Sequence, residues 1–332
     1  MKHDLFAKRL AGAVILLLAA ALLPAATVSF QEEQYGGTIT YNEAAKPGEA
    51  VFARMSLKFA RNFKKRGAPE MAAVLQLYQG GKKIDSAQFY FVNSKLRRQT
   101  APELLAGLPL STWLSAEEGY SIRILFATGA SPEKEMALPF TLEGAEYNSE
   151  TLLLDDKNSA IKQDMSAERL AQIERLNAIL GTITPQDIYT QKPFIRPVQS
   201  TRLTACFGDR RIYQYTNGKS STSLHYGNDY GVPEGTDVSA CGDGRVVMAE
   251  FRISTGWSVV IEHLPGLYSL YYHLSALSVS EGQMVRQGEK IGASGSTGLA
   301  TGPHLHWEVR LNMCAVRPEF FMQDFTFQEP EN

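Results

Sequence analysis

Short segments with the composition of β-strands, separated by turn residues, occupy most of this 332-residue chain. Between residue 36 and about residue 153 they include AVFARMSL, AAVLQLYQ and YSIRILFAT, which are rich in β-branched and aromatic residues with partial alternation. Gly80-Gly81 separates two of these segments and predicts a hairpin. Several short strands at fairly regular spacing are typical of an immunoglobulin-like β-sandwich, which we predict for this region.

The pattern changes twice further along the chain. Residues 166–181 predict a helix, because Ser166 is a suitable N-cap, Gly181 a suitable end, and apolar residues recur between them at helical spacing. A polar, proline-containing segment from 184 to 197 predicts an inter-domain linker. From residue 198 onward glycine-rich turns alternate with short strands, without a convincing helical period, which predicts a second, antiparallel β domain.

The first 30 residues have the features of an export signal. Lys2, Lys8 and Arg9 precede an apolar run over residues 10–28, as in the charged and apolar regions of a secretory signal. The run is also nearly long enough to span a bilayer, which takes roughly 20 residues. A cleaved signal peptide and a retained inner-membrane anchor both stay open. Either one exports the rest of the chain to the periplasm or cell envelope.

These patterns predict a mainly β protein in four parts. Residues 1–30 are the signal peptide or signal anchor, and residues 31–155 an accessory β-sandwich. Residues 156–197 form a helical connector and linker, and residues 198–325 the second β domain. The sequence does not define the oligomeric state.

The charge balance bears on possible partners, and the cysteine content bears on possible disulfides. The formal net charge is −2, with 33 basic and 35 acidic residues, so nothing in the overall balance indicates a nucleic-acid partner. An exported chain can form disulfides, and Cys206 could pair with Cys241, leaving Cys314 free. Equally, all three cysteines could be small, buried residues with free thiols. Whether any two of them form a disulfide stays open.

The strongest functional signal is a set of histidine and aspartate positions in the last third of the chain. His225 and Asp229 lie in HYGND, His273 in YYHLS, and His304 and His306 in GPHLHWEV. On extended strands, spacings of four and two residues keep side chains on one face. Two His and one Asp can hold a zinc ion with one coordination position open, and two further His can transfer protons. The combination predicts a hydrolytic metal centre.

These motifs, together with EGQMVRQGEKIGASGSTG, resemble the LytM/lysostaphin-type zinc metallopeptidases, which cleave the peptide part of bacterial peptidoglycan. The resemblance covers about residues 195–320 and implies a compact antiparallel β domain with a groove across its central sheet. It implies that His225, Asp229 and His306 bind one Zn²⁺ per chain. It also implies that His273 and His304 are the two catalytic histidines, and no functional position departs from the pattern.

The resemblance therefore predicts a zinc endopeptidase acting on peptidoglycan cross-links or stem peptides. The main alternative is a non-catalytic module of the same fold that binds the wall or activates another hydrolase. Such relatives typically lack one or more zinc ligands, whereas this chain lacks none. A glycine-rich secreted protein is a further candidate substrate. The bond that is cleaved stays open, and we predict that the sandwich regulates or positions the enzyme.

Overall fold

The computed structural model of the chain describes residues 25–60, 71–92, 102–128 and 131–323, with backbone only at 131 and 132. Most of the predicted signal, residues 1–24, lies outside these ranges. Residues 25–30 belong to the first strand. Within the described ranges no helix combines the length and apolar character needed to cross a bilayer.

The N-terminal region contains two main sheets. The described residues of this region form β1 Ala25–Gln31, β2 Tyr35–Asn42, β3 Ala44–Ala45, β4 Ala50–Phe59, β5 Met71–Gln79, β6 Lys82–Gln88, β7 Tyr90–Phe91, β8 Glu103–Pro109, β9 Tyr120–Thr128, β10 Ser131–Leu138 and β11 Thr141–Leu142. One sheet has the order β1-β2-β4-β8-β7 and the other β10-β9-β5-β6. Both contribute to one apolar core, in which Ile39 and Met55 meet Leu75 and Phe126. This is consistent with the predicted sandwich, and its immunoglobulin-like type stays a prediction.

The predicted hairpin at Gly80-Gly81 is confirmed. The two glycines join β5 to β6 with φ of +54° and +83°. A two-residue turn with positive φ at both positions matches the twist of the strands it connects, and glycine adopts these angles without steric cost.

One more strand, β12 Ser149–Leu153, ends the segment assigned to the sandwich, and the connector contains two helices, α1 Asp156–Gln163 and α2 Ala167–Leu180. The predicted helix is confirmed as α2: the Ser166 hydroxyl accepts from the Arg169 amide at 3.2 Å, and Gly181 is the C-cap. The sequence did not predict α1, whose eight residues lack an apolar stripe and which is capped by the Asp155 side chain. β12 pairs in parallel with a strand of the C-terminal domain, β14, described next.

The C-terminal domain is an antiparallel β structure, and the mainly β prediction is confirmed. Its elements are β13 Leu203–Ala205, β14 Arg210–Gln214, β15 Ser220–Leu224, β16 Gly227–Tyr230, β17 Asp237–Ser239, β18 Gly244–Arg252, β19 Gly256–Leu264, β20 Leu267–Leu274, β21 Ala276–Leu277, β22 Met284–Val285, β23 Lys290–Ala293, β24 Leu305–Leu311, β25 Cys314–Val316 and a 3-10 helix Pro318–Met322. The main sheet has the order β13-β16-β24-β20-β19-β18-β22, with β25 paired to β24. A smaller sheet has the order β17-β23-β21.

Alternation along β24 separates the two faces of the main sheet. Leu305, Trp307 and Val309 enter the main apolar core, so His306 and Glu308 point to the other face, which we call the site face. Helix α2 packs on part of the site face. Leu176, Ile179 and Leu180 of the helix form one apolar cluster with side chains of β18, β19 and β20. The strand residues in this cluster are Met248, Val260, Tyr268, Leu270 and Tyr272.

The opposite face of the main sheet shares its core with the N-terminal sandwich. Phe52 of β4 lies 6.4 Å from Phe320 and 6.0 Å from Phe321, ring centroid to ring centroid. Phe52, Phe320 and Phe321 are at most 2% exposed. The sandwich is therefore fixed to the back of the C-terminal domain by buried aromatic packing, on the side away from the site face.

The three cysteines are all free, so the disulfide considered between Cys206 and Cys241 is not formed. Cys206 is exposed, whereas Cys241 is fully buried with its sulfur 3.7 Å from His263 Nε2. The two residues therefore lie in different environments, although both are close in sequence to the opening strands of the domain.

Candidate metal centre

Three predicted ligands converge at one end of the site face. Asp229 of β16 pairs with His306 of β24, and Asp229 Oδ1 lies 2.8 Å from His306 Nδ1 and 3.1 Å from His225 Nε2. The two imidazole nitrogens are 3.1 Å apart. All three residues are at most 8% exposed. The sequence prediction that these side chains share a site is therefore matched by their positions.

One detail of that prediction is wrong. His225 and Asp229 were expected on one face of a single strand, but β16 begins at Gly227 and His225 precedes it. The His225 backbone instead bonds to the Gly208–Asp209 turn, its N–H donating to Asp209 O at 2.9 Å. A loop position, rather than strand alternation, therefore turns this imidazole toward Asp229.

The spacing of the three atoms fits a tetrahedral metal ion. With zinc–ligand distances of about 2.0–2.1 Å, two ligand atoms of a tetrahedron lie about 3.3 Å apart. The observed separations of 2.8–3.1 Å require only a small outward movement. Two imidazole nitrogens and one carboxylate oxygen are also the donor set that zinc prefers. The residues therefore fit a zinc ion.

The second nitrogen of each ligand histidine has its own partner. His225 Nδ1 donates to the carbonyl oxygen of Cys206 at 2.8 Å, and His306 Nε2 lies 3.4 Å from Glu308 Oε2. Such partners fix the tautomer and direct the other nitrogen toward the metal position. Glu308, two residues after His306, is 2% exposed and is paired with Arg310. Because Glu308 is two residues after His306 in HLHWEV, strand alternation would have predicted that both side chains lie on the same face.

Arg211 is a further contact that the sequence did not predict. From β14 its Nη2 donates to Asp229 Oδ2 at 3.1 Å, and its Nε donates to Glu150 Oε1 of β12 at 2.8 Å. The guanidinium holds one carboxylate oxygen of Asp229, which leaves Oδ1 directed at the two imidazoles. It also couples this ligand to the strand that leaves the sandwich.

The electrostatics of the cluster favour a cation. Burial opposes ionisation of Asp229, but hydrogen bonds with His225 and His306 outweigh it and hold its pKa well below the usual value. Burial also disfavours protonation of His306, yet Asp229 and Glu308 raise its pKa to about 9. The metal-free cluster therefore carries a proton near neutral pH, at the position where a metal ion would place its charge.

His273 reaches the site through an unusual backbone conformation. It is one of three non-glycine residues with positive φ among those described, at +62°. Simple alternation would point consecutive residues of β20 to opposite faces, but Tyr272 stacks on His306 at 5.5 Å and the His273 ring lies 6.2 Å from the same imidazole. The left-handed backbone therefore places both side chains at the site. Strain of this kind is common at functional positions.

The two non-ligand histidines are oriented alike. His273 Nδ1 donates to Thr297 O and His304 Nδ1 donates to Gly302 O, each at 2.8 Å. Their Nε2 atoms are left free to face the cluster, and His304 Nε2 lies 3.7 Å from Asp229 Oδ1. Burial, followed by the neighbouring His304 and His306, lowers the pKa of His273 to about 3. His273 is thus neutral at physiological pH.

His263 has a purely structural environment. It is fully buried, with Nδ1 2.8 Å from Asp243 O, Nε2 2.7 Å from Ser269 Oγ, and its ring 4.6 Å from that of Phe194. No metal-binding group of the described residues includes it. It is a core residue, with a pKa lowered to about 4 mainly by burial.

The connector contacts both sides of the metal centre. On the β14–β15 side, the Ser159 hydroxyl accepts from the Thr216 amide at 3.3 Å, and Asn217 Nδ2 donates to Gln163 Oε1 at 2.9 Å. On the opposite side, Asn158 Nδ2 donates to Ala300 O at 3.4 Å, in the loop that carries Gly302. Helix α1 therefore bridges the β14–β15 pair, whose Arg211 bonds to Asp229, and the loop whose Gly302 bonds to His304.

The three converging side chains are suited to holding a metal ion, and comparison with known proteins supplies a family for the domain that carries them. Residues 223–318 match the model of Peptidase family M23. The C-terminal domain of this chain is therefore a LytM-type M23 peptidase domain, as the sequence motifs predicted.

Two curated relatives are similar to this domain. The DD-carboxypeptidase/endopeptidase Mpg of Neisseria meningitidis serogroup B is 44% identical over 124 residues, which are 37% of this chain and 28% of that protein. The peptidoglycan DD-endopeptidase ShyA of Vibrio cholerae serotype O1 is 42% identical over 121 residues, 36% of this chain and 27% of that protein. The chain thus matches little more than a quarter of either relative's length.

A solved structure extends the comparison beyond the peptidase domain. A candidate M23 peptidase from Pseudomonas aeruginosa aligns with 77% of this chain and 94% of its own, with a TM-score of 0.50 and 22% sequence identity. The aligned share is larger than residues 198–325 alone. At this identity the similarity shows a shared fold.

Proposed function

We propose that the chain is a zinc-dependent endopeptidase that hydrolyses peptide bonds of bacterial peptidoglycan, in cross-links or stem peptides. One Zn²⁺ per chain is held by His225, Asp229 and His306. The observation that carries the proposal is the convergence of their three ligand atoms, within 3.1 Å of one another, in an M23 peptidase domain. The activities named for the Neisseria and Vibrio relatives support peptidoglycan as the substrate.

A bound zinc ion supplies Lewis acidity toward the scissile carbonyl and toward water. The surrounding residues supply orientation. Cys206 O and Glu308 set the imidazole tautomers, and Arg211 sets the Asp229 carboxylate.

His273 and His304 perform the proton transfers in this proposal. In each ring Nδ1 is bonded to a backbone carbonyl, so Nε2 is the nitrogen that can exchange a proton with water or with the substrate. The protonated ring is then a donor, both to the oxyanion that forms and to the departing amine. Their ring centroids are 4.7 Å apart, so the two side chains act on the same bond.

The site of action in this proposal is outside the cytoplasm. Peptidoglycan lies in the cell envelope, and the predicted signal in residues 1–30 exports the chain to it. Retention of the signal as an inner-membrane anchor and its cleavage are both compatible with this location.

Digestion of purified peptidoglycan tests the proposal directly. We expect the full chain to release soluble fragments from sacculi, and chelation or the His304→Ala substitution to abolish the release. A glycine-rich protein digested in parallel tests the other substrate class. If the zinc-loaded chain binds sacculi and releases nothing, while stimulating a second wall hydrolase, the non-catalytic alternative is correct and the enzyme proposal is wrong.

A further inference from the structure

A cleft of about 690 Å³ adjoins the candidate metal centre. Its walls are the β14–β15 strand pair, the end of β24 with β25, and the sandwich loop that contains Trp113. Its volume is within the range typical of small-molecule and peptide sites, roughly 300–1,000 Å³. The cleft therefore can accommodate several atoms of a substrate beside the metal.

The lining of this cleft is basic. Arg210, Arg211 and Arg310 contribute to it, and the lining contains no aspartate or glutamate. Arg310 is paired with the buried Glu308 beneath it, and Arg211 is paired with Glu150 and Asp229. Among the described residues, Arg210 forms no ion pair with a carboxylate. The positive charge of Arg210 is therefore the one left uncompensated in the cleft.

The guanidinium of Arg210 is held in place by neutral groups. It lies 3.8 Å from the ring centroid of Trp113 and 4.7 Å from that of Tyr147. Its Nη1 and Nη2 donate to the hydroxyl and carbonyl of Thr112, at 3.2 and 2.9 Å. An ordered guanidinium loses less entropy when it binds an anion, and Thr112 accepts from only two of its five N–H groups, so the other N–H groups can donate to a carboxylate.

The cleft is also open to a ligand. Trp113 is 72% exposed although it stacks on Arg210, and Tyr226 is 42% exposed although Arg310 lies 4.3 Å from its ring centroid. Exposed aromatic side chains beside ordered arginines are typical of binding surfaces. Arg211 connects this surface to the metal centre, because the same side chain lines the cleft and donates to Asp229 at 3.1 Å.

We propose that this cleft binds a free carboxylate of the peptide substrate close to the scissile bond, with Arg210 as its principal partner. The inference rests on the proposed function, since it concerns the substrate of the same site. It specifies a peptide class: peptides that carry an ionised carboxylate next to the bond are favoured over the same peptides with a carboxamide there.

The test compares two synthetic cross-linked peptides that differ only in free carboxylates against carboxamides beside the scissile bond. We expect the zinc-loaded full chain to favour the carboxylate form roughly tenfold in kcat/KM, the effect of one charge-assisted hydrogen bond. Arg210→Gln should bring the ratio close to one. The matched control Arg123→Gln, in the sandwich and paired with Glu135, should keep the parental ratio.

The ratio also separates specificity from folding, because partial unfolding lowers both rates alike. If Arg210→Gln does not fold, Trp113→Ala is the second variant: it removes the stacking partner of Arg210 without changing the charge, and should also lower the ratio. Equal rates for the two peptides with the parental chain, or an unchanged ratio in a folded Arg210 or Trp113 variant, would overturn the proposal.

Binding measurements keep this test independent of the proposed catalysis. With zinc-loaded His304→Ala protein, the carboxylate peptide should bind more tightly than the carboxamide peptide even if neither is cleaved. Preference in binding without cleavage by the parental chain would leave the carboxylate site standing and remove the proposed function. Cleavage of both peptides without preference would support the proposed function and exclude the carboxylate site.

Discussion

The imidazole rings of His273 and His304 lie 4.7 Å apart, centroid to centroid. His273 is near the end of β20 and has a left-handed backbone, whereas His304 immediately precedes β24. Each ring donates from Nδ1 to a carbonyl of the loop between residues 297 and 302. One loop therefore orients both histidines. This relationship places two imidazoles in the same orientation beside one set of candidate metal ligands.

The first prediction concerns these two histidines. His273→Ala and His304→Ala should each retain zinc but lower kcat on a soluble muropeptide roughly 10²–10⁴-fold, the usual contribution of a general acid–base or oxyanion-stabilising group. Steady-state rates with metal analysis of the same samples check this. A variant with full zinc and near-parental activity would exclude that histidine from catalysis.

Metal stoichiometry gives the second prediction. Purified full-length chain should contain one zinc per molecule, and His225→Ala should lose most of it, because only two of the three converging atoms remain. Elemental analysis after dialysis measures both. His263→Ala is unsuitable as a control because His263 is in the core, whereas an exposed substitution such as Lys290→Ala should keep one zinc. Full occupancy in His225→Ala would remove His225 from the ligand set.

The third prediction is a pH dependence of zinc affinity. In the metal-free site Asp229 and Glu308, against the effect of burial, raise the pKa of His306 to about 9, so near pH 7 zinc must displace a proton from this ring. Affinity should therefore increase about tenfold per pH unit between pH 7 and 8 and level off above about pH 9. Competition with a chelator of known pH dependence measures it. An affinity independent of pH over this interval would show that His306 carries no displaceable proton.

The fourth prediction concerns helix α1, which bridges the two sides of the metal centre. Ala160→Pro, in the helix interior, should break α1, because proline there costs about 3 kcal/mol or more. We expect several-fold faster cleavage of soluble muropeptides, since α1 then no longer ties residues 216 and 217 to the loop at Ala300 and substrate reaches the site more easily. The control Asp156→Pro places proline at the first helical position, where it is tolerated, and should leave the rate unchanged. A folded, zinc-containing Ala160→Pro variant that is no faster would show that α1 does not limit the access of substrate to the site.

Features with a local signal were predicted well. The caps of α2 at Ser166 and Gly181 depend on residues adjacent to the helix, and the Gly80-Gly81 turn depends on its own two residues. The position of His306 on the site face was also predictable from alternation along β24, whereas His304 immediately precedes that strand. In each case the physical cause lies within a few residues of the feature.

Features that depend on distant partners were not predicted. Arg211 has no motif of its own and becomes part of the site only because β14 lies beside Asp229. The positive φ of His273 and the pairing of β12 with β14 are set by tertiary packing. Helix α1 has no apolar stripe, and its contacts are polar bonds to loops far away in sequence. Such contacts produce no periodic pattern in the sequence, so they cannot be predicted from it.

Zinc titration of the metal-free full chain, with mass spectrometry of the products from a defined cross-linked muropeptide, tests whether the chain is a zinc-dependent peptidase. We predict no cleavage without metal, and a rate that rises with added zinc and stops rising at one equivalent per chain. The fragments should be those of hydrolysis at a single peptide bond. Cleavage by the metal-free chain, or none by folded protein that holds one zinc, would contradict this prediction.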